Sequence, residues 1–422
     1  MNSLQLISSK KELLFLLLFI SLIFIFNIAH EYFKYKDFTK EEIYSGKFQI
    51  TNIYDKVDFL VLKLQDHQIS FYTSISKIYN NERKEDNNAK LNKLDFINIA
   101  IITTKVDFIG YLKGFYSKSI YYDTLKKEKN IKTSLFENIN NQHQTLALKE
   151  LFNALFLAIP ISKENRMIYT NFGISHLIAI SGFHLSILLI IVYSFFYYPY
   201  SLIQQKYFPF RNKKFDILLI TIFMLIFYLL LTNIVPSLLR AFIMFILGIY
   251  FLRSNIKLFS FETLGLTFLL IIAFFPKYLF SISLWFSIIG VFYIFLYIHY
   301  FKNFGKVFNF LFFNFWIFLV FNPIVHFFFP NTSYEQLLSP FITLFFTIFY
   351  PLELFLHFIS YGNLFDEYIL YFLNYKMSIY EVITPLWFFI SYVFFSLYSI
   401  FEKRAFFVLN ILLILFNIYM YI

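Results

Sequence analysis

The sequence predicts a polytopic α-helical membrane protein of about ten transmembrane helices, with a small extracytoplasmic β-barrel domain of the OB type. Three observations carry that prediction. Hydrophobic residues make up 59% of the 422 positions and Phe alone fills 64, far from the balance of a soluble domain. Apolar runs near the length that crosses about 30 Å of hydrocarbon recur along the chain. One sizeable polar block, residues 31–146, interrupts them with strand-like alternation.

The first apolar run, Glu12 to Ala29, is long and has no small-residue cleavage site before His30, so residues 1–30 are expected to be an uncleaved anchor. Further runs lie near 174–196, 216–233, 237–252, 258–275, 279–300, 307–329, 338–358, 384–401 and 405–421. Basic residues in short loops orient them. Lys10 and Lys11 place the N-terminus in the cytoplasm, and residues 31–172 then lie outside. Lys206, Arg211, Lys213 and Lys214 return inside, as do Arg253 with Lys257 and Lys302 with Lys306. The alternation then fails, because three apparent spans separate Lys306 from Lys403 and Arg404. Either one of those spans is re-entrant or the amphipathic stretch Tyr361 to Met377 enters the membrane.

The polar block reads as five strands: Gly46 to Tyr54, Val57 to Leu64, Gln68 to Thr73, Ile97 to Thr104 and Asp107 to Tyr116, with a mobile loop at Asn80 to Asn92. Five short strands suit an OB-type barrel over 31–117 better than a sandwich of about seven. Residues 118–172 read as a helical connection whose Ala147, Leu148, Leu151, Ala154 and Leu155 form an amphipathic stripe at the outer surface. Residues 173–422 form the transmembrane domain.

There is no cysteine, hence no disulfide or thiolate site, and no P-loop motif, hence no nucleotide hydrolysis by that route. The stretch Gly173-Ile-Ser-His-Leu-Ile-Ala-Ile-Ser-Gly-Phe-His184 sets polar residues where the chain enters a span. Hydrocarbon tolerates such groups only when they face a bundle interior or water. On an unbroken helix His176 and His184 would lie about 80° apart and share a cavity. Alternatively, Ser181 and Gly182 break the helix and expose its backbone, as in discontinuous transporter helices, or they merely let helices pack closely. With no carboxylate beside the two histidines, neither a metal site nor a general acid/base pair is expected. Arg240, four residues into a span, either snorkels to the interface or pairs with Glu262.

These residues resemble the ComEC family of competence proteins, inner-membrane channels for DNA uptake. Ala154-Leu-Phe-Leu and Gly173-x-x-His-Leu-x-Ala-Ile-Ser-Gly-x-His184 look like its signature, and Pro236-Ser-Leu-Leu-Arg-Ala241, Ser283-Leu-Trp-Phe-Ser287 and the Pro323, Pro340 and Pro351 spans follow in family order. The likeness runs from about residue 40 to 360. Ser283 and Trp285 depart from the family's usual Gly and Gln. No H-x-H-x-D-H cluster follows the last apolar run, so the nuclease-like domain of longer members is not expected and the chain is expected not to be an enzyme.

The resemblance implies a multi-pass protein of the bacterial inner membrane that passes single-stranded DNA to the cytoplasm during natural transformation, without a cofactor. The implied path residues are His176, Ser181, Gly182, His184, Arg240 as a phosphate contact, and Ser287, whose hydroxyl either lines the path or bonds the preceding turn. In the outer domain Tyr72, Phe108 and Tyr111 are candidates for base stacking. Residues 31–146 carry 18 Lys plus Arg against 15 Asp plus Glu, a net of only +3, so weak DNA contact is expected there. Implied partners are membrane lipid, an outer DNA receptor, a separate nuclease, cytoplasmic single-strand-binding proteins and further copies in a homo-oligomer. The other reading open at this point is a secondary transporter of a small anionic solute, with the break between His176 and His184 as its binding site.

Overall fold

The computed structural model describes residues 9–422 except 67–68, 78–90, 126–129, 254–259 and 303–304. Most of the loop Asn80 to Asn92, and Lys257, lie outside the described residues. Each apolar run except 174–196, which is interrupted before Gly182, forms one helix. The first, α1 (Lys10–Phe38), starts at Ser9, whose side chain accepts from the Glu12 amide, and runs on past the membrane-length segment. Its far end enters a sheet, where the Phe38 ring meets those of Tyr44, Tyr111 and Phe115 at 4.9, 5.7 and 5.6 Å.

That sheet has six strands: β1 (Ile43–Asp55), β2 (Phe59–Gln65), β3 (Ser70–Ser76), β4 (Phe96–Ile102), β5 (Phe115–Tyr116) and β6 (Ser119–Thr124). Their spatial order is β5-β3-β2-β1-β4-β6. The long β1 serves both neighbours: its first half pairs with β4 from Ile43↔Ile102, its second with β2 to Asp55↔Leu60, and the register shifts between Ile50 and Asn52. Alternate residues fill the core: Phe48, Ile50, Leu62, Leu64, Phe71, Ile97, Ile99 and Ile101 are all buried.

Two expectations fail in this block. The stretch Asp107 to Tyr116 is not a strand: Asp107 caps a short helix, α2 (Phe108–Lys113), by accepting from the Gly110 amide, and Gly114 at φ +91° ends it. Residues 119–124 are a strand rather than the start of a helix, since Ile120, Tyr121 and Tyr122 favour a ladder against β4.

Helices α3 (Ile131–Gln142), α4 (Leu146–Leu157), α5 (Lys163–Asn171) and the single turn α6 (Ser175–Ile178) follow. The expected amphipathic surface helix is instead a core helix: α4 buries Leu148 and every residue from Leu151 to Leu157. Its apolar residues are too many for one stripe, and later helices cover the second side. The bundle then comprises α7 (Gly182–Tyr207), α8 (Lys213–Leu231), α9 (Pro236–Arg253), α10 (Phe261–Phe274), α11 (Ile282–Phe301), α12 (Lys306–Phe328), α13 (Ser339–Phe358), α14 (Asp366–Leu373), α15 (Leu386–Tyr398) and α16 (Lys403–Tyr421). Among the described residues seven helices are long and apolar enough to cross a membrane, and α9, α10 and α15 are shorter apolar helices. The chain is a multi-pass membrane protein. Pro323 within α12 frees the Leu319 carbonyl, and Asn417 of α16 donates to that carbonyl at 3.1 Å.

Two short strands, β7 (Asn331–Ser333) and β8 (Ile379–Glu381), pair across the top of this region. Because they lie side by side, the chain between them, with α13 and α14, makes an excursion that starts and ends at the same pair of strands. The C-terminal half of α1 also ties the sheet to the bundle: Lys277 bonds Glu31 at 2.8 Å and Asn27 donates to the Ala273 carbonyl at 2.9 Å.

Candidate functional site

The polar signature is an interrupted helix. After α5 the chain turns at Gly173, whose φ of +68° and whose 3.3 Å clearance from the Ser339 side chain at the Cβ position both favour glycine. The Gly173 carbonyl accepts from Ser339 Oγ at 2.9 Å and faces His176 Nδ1 at 3.1 Å. One turn, α6, follows, and the chain is then extended to Ser181, which starts α7 with its own side chain accepting from the Phe183 amide. The Ile180 carbonyl, left without a helical partner by the break, accepts from Ser237 Oγ at 2.6 Å.

His176 and His184 therefore sit on separate helices, not on the single helix whose 80° arc would have set them side by side; the alternative break at Ser181 and Gly182 is what forms. The two differ in environment. His176 is exposed, with Nε2 3.4 Å from Thr343 Oγ1. His184 is fully buried, its ring edge-on to Tyr350 at 4.6 Å. His184 Nδ1 accepts from the Ser181 amide at 3.2 Å, which leaves the proton of the neutral ring on Nε2. That N–H has no hydrogen-bond partner, the Leu177 carbonyl lying nearby outside bonding geometry.

Beside this break lies Arg240, 6% exposed. Its Nε donates to Ser287 Oγ at 2.7 Å and its Nη1 to Met244 Sδ at 3.3 Å. The Ser287 hydroxyl thus serves the arginine and not the preceding turn. Gly182 makes room for the guanidinium: an added Cβ would lie 3.1 Å from Arg240 Nη2. Glu262 is not its partner. The two residues open consecutive helices, α9 and α10, that run in opposite directions, and Glu262 is exposed at the far end. Among the described residues no carboxylate forms an ion pair with Arg240. Nor does Arg240 snorkel. Sequence reasoning missed Ser237, although its place three residues before Arg240 on one helix face was a usable signal.

Ser181, Gly182, His184, Arg240 and Ser287 are thus one cluster, with His176 at its rim. It is rich in donors and lacks a carboxylate. Among the described residues no group of three or more His, Cys, Asp or Glu is arranged to hold a metal ion.

The outer candidates divide. Tyr111 is 2% exposed and fills the sheet core, so its ring is not open to a base. Phe108 is half-buried against α1, 5.3 Å from Tyr32 and 5.5 Å from Tyr35. Tyr72 stays on the solvent face of β3, with Lys63 Nζ 5.6 Å above its ring and Tyr54 at 6.4 Å.

The fold and this cluster define a class: multi-pass membrane proteins that carry a polar, interrupted helix within an apolar bundle. Residues 160–421 match the family model described as Competence protein. The chain belongs to the competence protein family. Neither the curated proteins nor the solved structures contain a match to it.

Proposed function

We propose that this chain is an inner-membrane channel that passes single-stranded DNA into the cytoplasm during natural transformation. Membership of the competence family supports a role in DNA uptake. The observation that carries the finer reading is the buried guanidinium of Arg240, held by a hydroxyl and a thioether instead of a carboxylate. On insertion scales a charge costs about 2.5–3.5 kcal/mol at a helix centre and less near an end, where Arg240 lies. A cation maintained at such cost without an acidic partner suits a polyanion that arrives and leaves, and an arginine fork suits phosphate. The unpartnered His184 N–H adds a second donor. Both are covered here, so passage requires α7 to part from α9 and α13 and hydrate them.

The outer sheet acts as an OB-type strand-binding domain. Its two edge strands, β5 and β6, are separated by two residues, and the Ser117 amide and Ser119 hydroxyl reach across to the Tyr72 and Ser74 carbonyls of β3 at 2.9 and 3.0 Å. Tyr72 and Lys63 form a stacking face beside a cation. The pairing of β7 with β8 supports an orientation in which α13 and α14 leave and return on one side of the membrane. With residues 31–172 outside, both Lys306 and Lys403-Arg404 then fall in the cytoplasm, in accord with the positive-inside rule.

The channel conducts and does not catalyse. An outer receptor delivers duplex, a separate nuclease frees one strand, cytoplasmic proteins coat it, and a homo-oligomer is a further expectation. The family match does not support the small-anion reading. The test is a pair of variants with unchanged protein level. Arg240→Leu is expected to lower transformation at least about a hundredfold and Arg240→Lys about tenfold, because the lysine keeps charge and loses the fork. Wild-type frequency in Arg240→Leu would remove the arginine from the path.

A further inference from the structure

At the far end of α13 four titratable side chains from three segments form one chain. His143, directly after α3, places Nδ1 2.9 and 3.1 Å from the two carboxylate oxygens of Asp366. Its Nε2 lies 2.9 Å from Nε2 of His357. The His357 Nδ1 in turn lies 2.8 Å from the Glu353 carbonyl and 3.4 Å from Glu353 Oε2. Aromatic rings wall the chain in: Phe152 stacks on His143 at 4.5 Å, and Phe156 stands edge-on to His357 at 4.9 Å. The Gly362 backbone closes it, its amide donating to Gln142 Oε1 at 2.9 Å; a Cβ there would come within 2.7 Å of His357 Nε2. The charged groups that face the chain are Lys149 from α4, Glu353 from α13 and Asp366 from α14. The Glu353 carboxylate is fully buried and neither oxygen has a hydrogen-bond partner.

Counting protons exposes a deficit. Three contacts link Asp366, His143, His357 and the Glu353 carbonyl, and each needs one proton. A carbonyl only accepts, so His357 Nδ1 carries its ring's proton and His357 Nε2 is a bare lone pair. Two neutral imidazoles bring two protons, and an ionised Asp366 brings none. One contact therefore sets two lone pairs against each other until a third proton arrives. That proton sits on Asp366, whose O–H then donates to His143 Nδ1, or on the His143 ring beside an ionised Asp366; in both cases His143 Nε2 donates to His357.

We propose that this chain is a proton-binding site, and that the proton it takes up latches the turn between α3 and α4 to the hairpin of α13 and α14. The proton enters at Asp366, whose side chain is 16% exposed while that of His143 is sealed. Burial, His357 and Lys149 hold the His143 imidazole down to about 4, while burial and then Glu353 push the Asp366 carboxyl up to about 6. The carboxyl is thus the proton's resting place. Because its folded-state value is raised, the latch is complete only near the ordinary carboxyl value of 3.8 and below, and is lost as pH rises through about 6.

Amide hydrogen exchange of the full chain in lipid nanodiscs, corrected for the intrinsic pH dependence of exchange, tests the site. Protection of segments 131–145 and 359–373, which include the Gly362 amide, is expected to fall about tenfold between pH 5 and pH 7.5. Asp366→Asn places a permanent N–H donor against His143 Nδ1, so protection should stay high and flat with pH. His143→Phe keeps the stack on Phe152 but breaks the chain, so protection should be low and flat. Wild-type protection that does not vary with pH, or Asp366→Asn that varies as wild type does, would overturn the proposal. A gain or loss of protection on adding EDTA would assign the gap between the Nε2 atoms to a metal and overturn it equally.

Discussion

Arg240 and its neighbours show how far single residues speak for themselves. The family-like blocks brought Gly182, His184, Arg240 and Ser287 forward one by one, and the fold gathers them: Nε of Arg240 on Ser287, its Nη2 against Gly182. Their mutual contact was not legible, because they lie on three helices. The pairing of Arg240 with Glu262 failed for the same reason, since sequence distance says nothing of which helix ends meet. The crowding at Gly182 yields a prediction. Gly182→Ala inserts a Cβ 3.1 Å from the guanidinium and 3.3 Å from Ala241, so the arginine must shift. We expect protein that still accumulates, with transformation lowered about tenfold; Gly182→Ala at wild-type frequency would show that the arginine's position is not critical. His184→Ala removes the unpartnered donor and should lower transformation in the same assay, while growth is unchanged.

At the scale of elements, apolar runs were a faithful guide because hydrocarbon demands helices, and every run but the interrupted one at 174–196 became a single helix. Short polar segments were less faithful. Asp107, Gly110 and Gly114 override the strand pattern of 107–116 by capping and ending a helix, a signal present in the sequence and outweighed there by apolar alternation. The burial of α4 was invisible, since its second covering surface comes from residues about 200 positions later. The pairing of β7 with β8 suits the proposed orientation and makes a prediction at the same scale. The chain has no cysteine, so single cysteines report sidedness cleanly. Phe401→Cys, in the loop before Lys403, should react with an impermeant maleimide only from the cytoplasm, and Asn363→Cys, in the hairpin, only from outside. Labelling of both from one face would contradict the proposed orientation.

For the whole molecule, the sheet and the bundle share α1, so under the proposed function a strand gathered on the Tyr72 face would be delivered close to the membrane. Contacts of greatest sequence separation, such as His143 with Asp366, organise this scale and leave no trace in local pattern. Double substitution of Lys63 and Tyr72 by alanine in the full chain in nanodiscs should weaken single-strand binding about tenfold and reduce its dependence on salt, since one phosphate contact and one stacking face are lost. Unaltered affinity would make the sheet a docking surface for the receptor.

The central claim is that DNA crosses the membrane through this chain, and tracking one labelled donor strand tests it most directly. In cells with the gene cleanly deleted, labelled DNA should still reach the compartment outside the inner membrane, protected from external nuclease, while no labelled single strand appears in the cytoplasm. Single strands that reach the cytoplasm at wild-type levels without this protein would contradict the account.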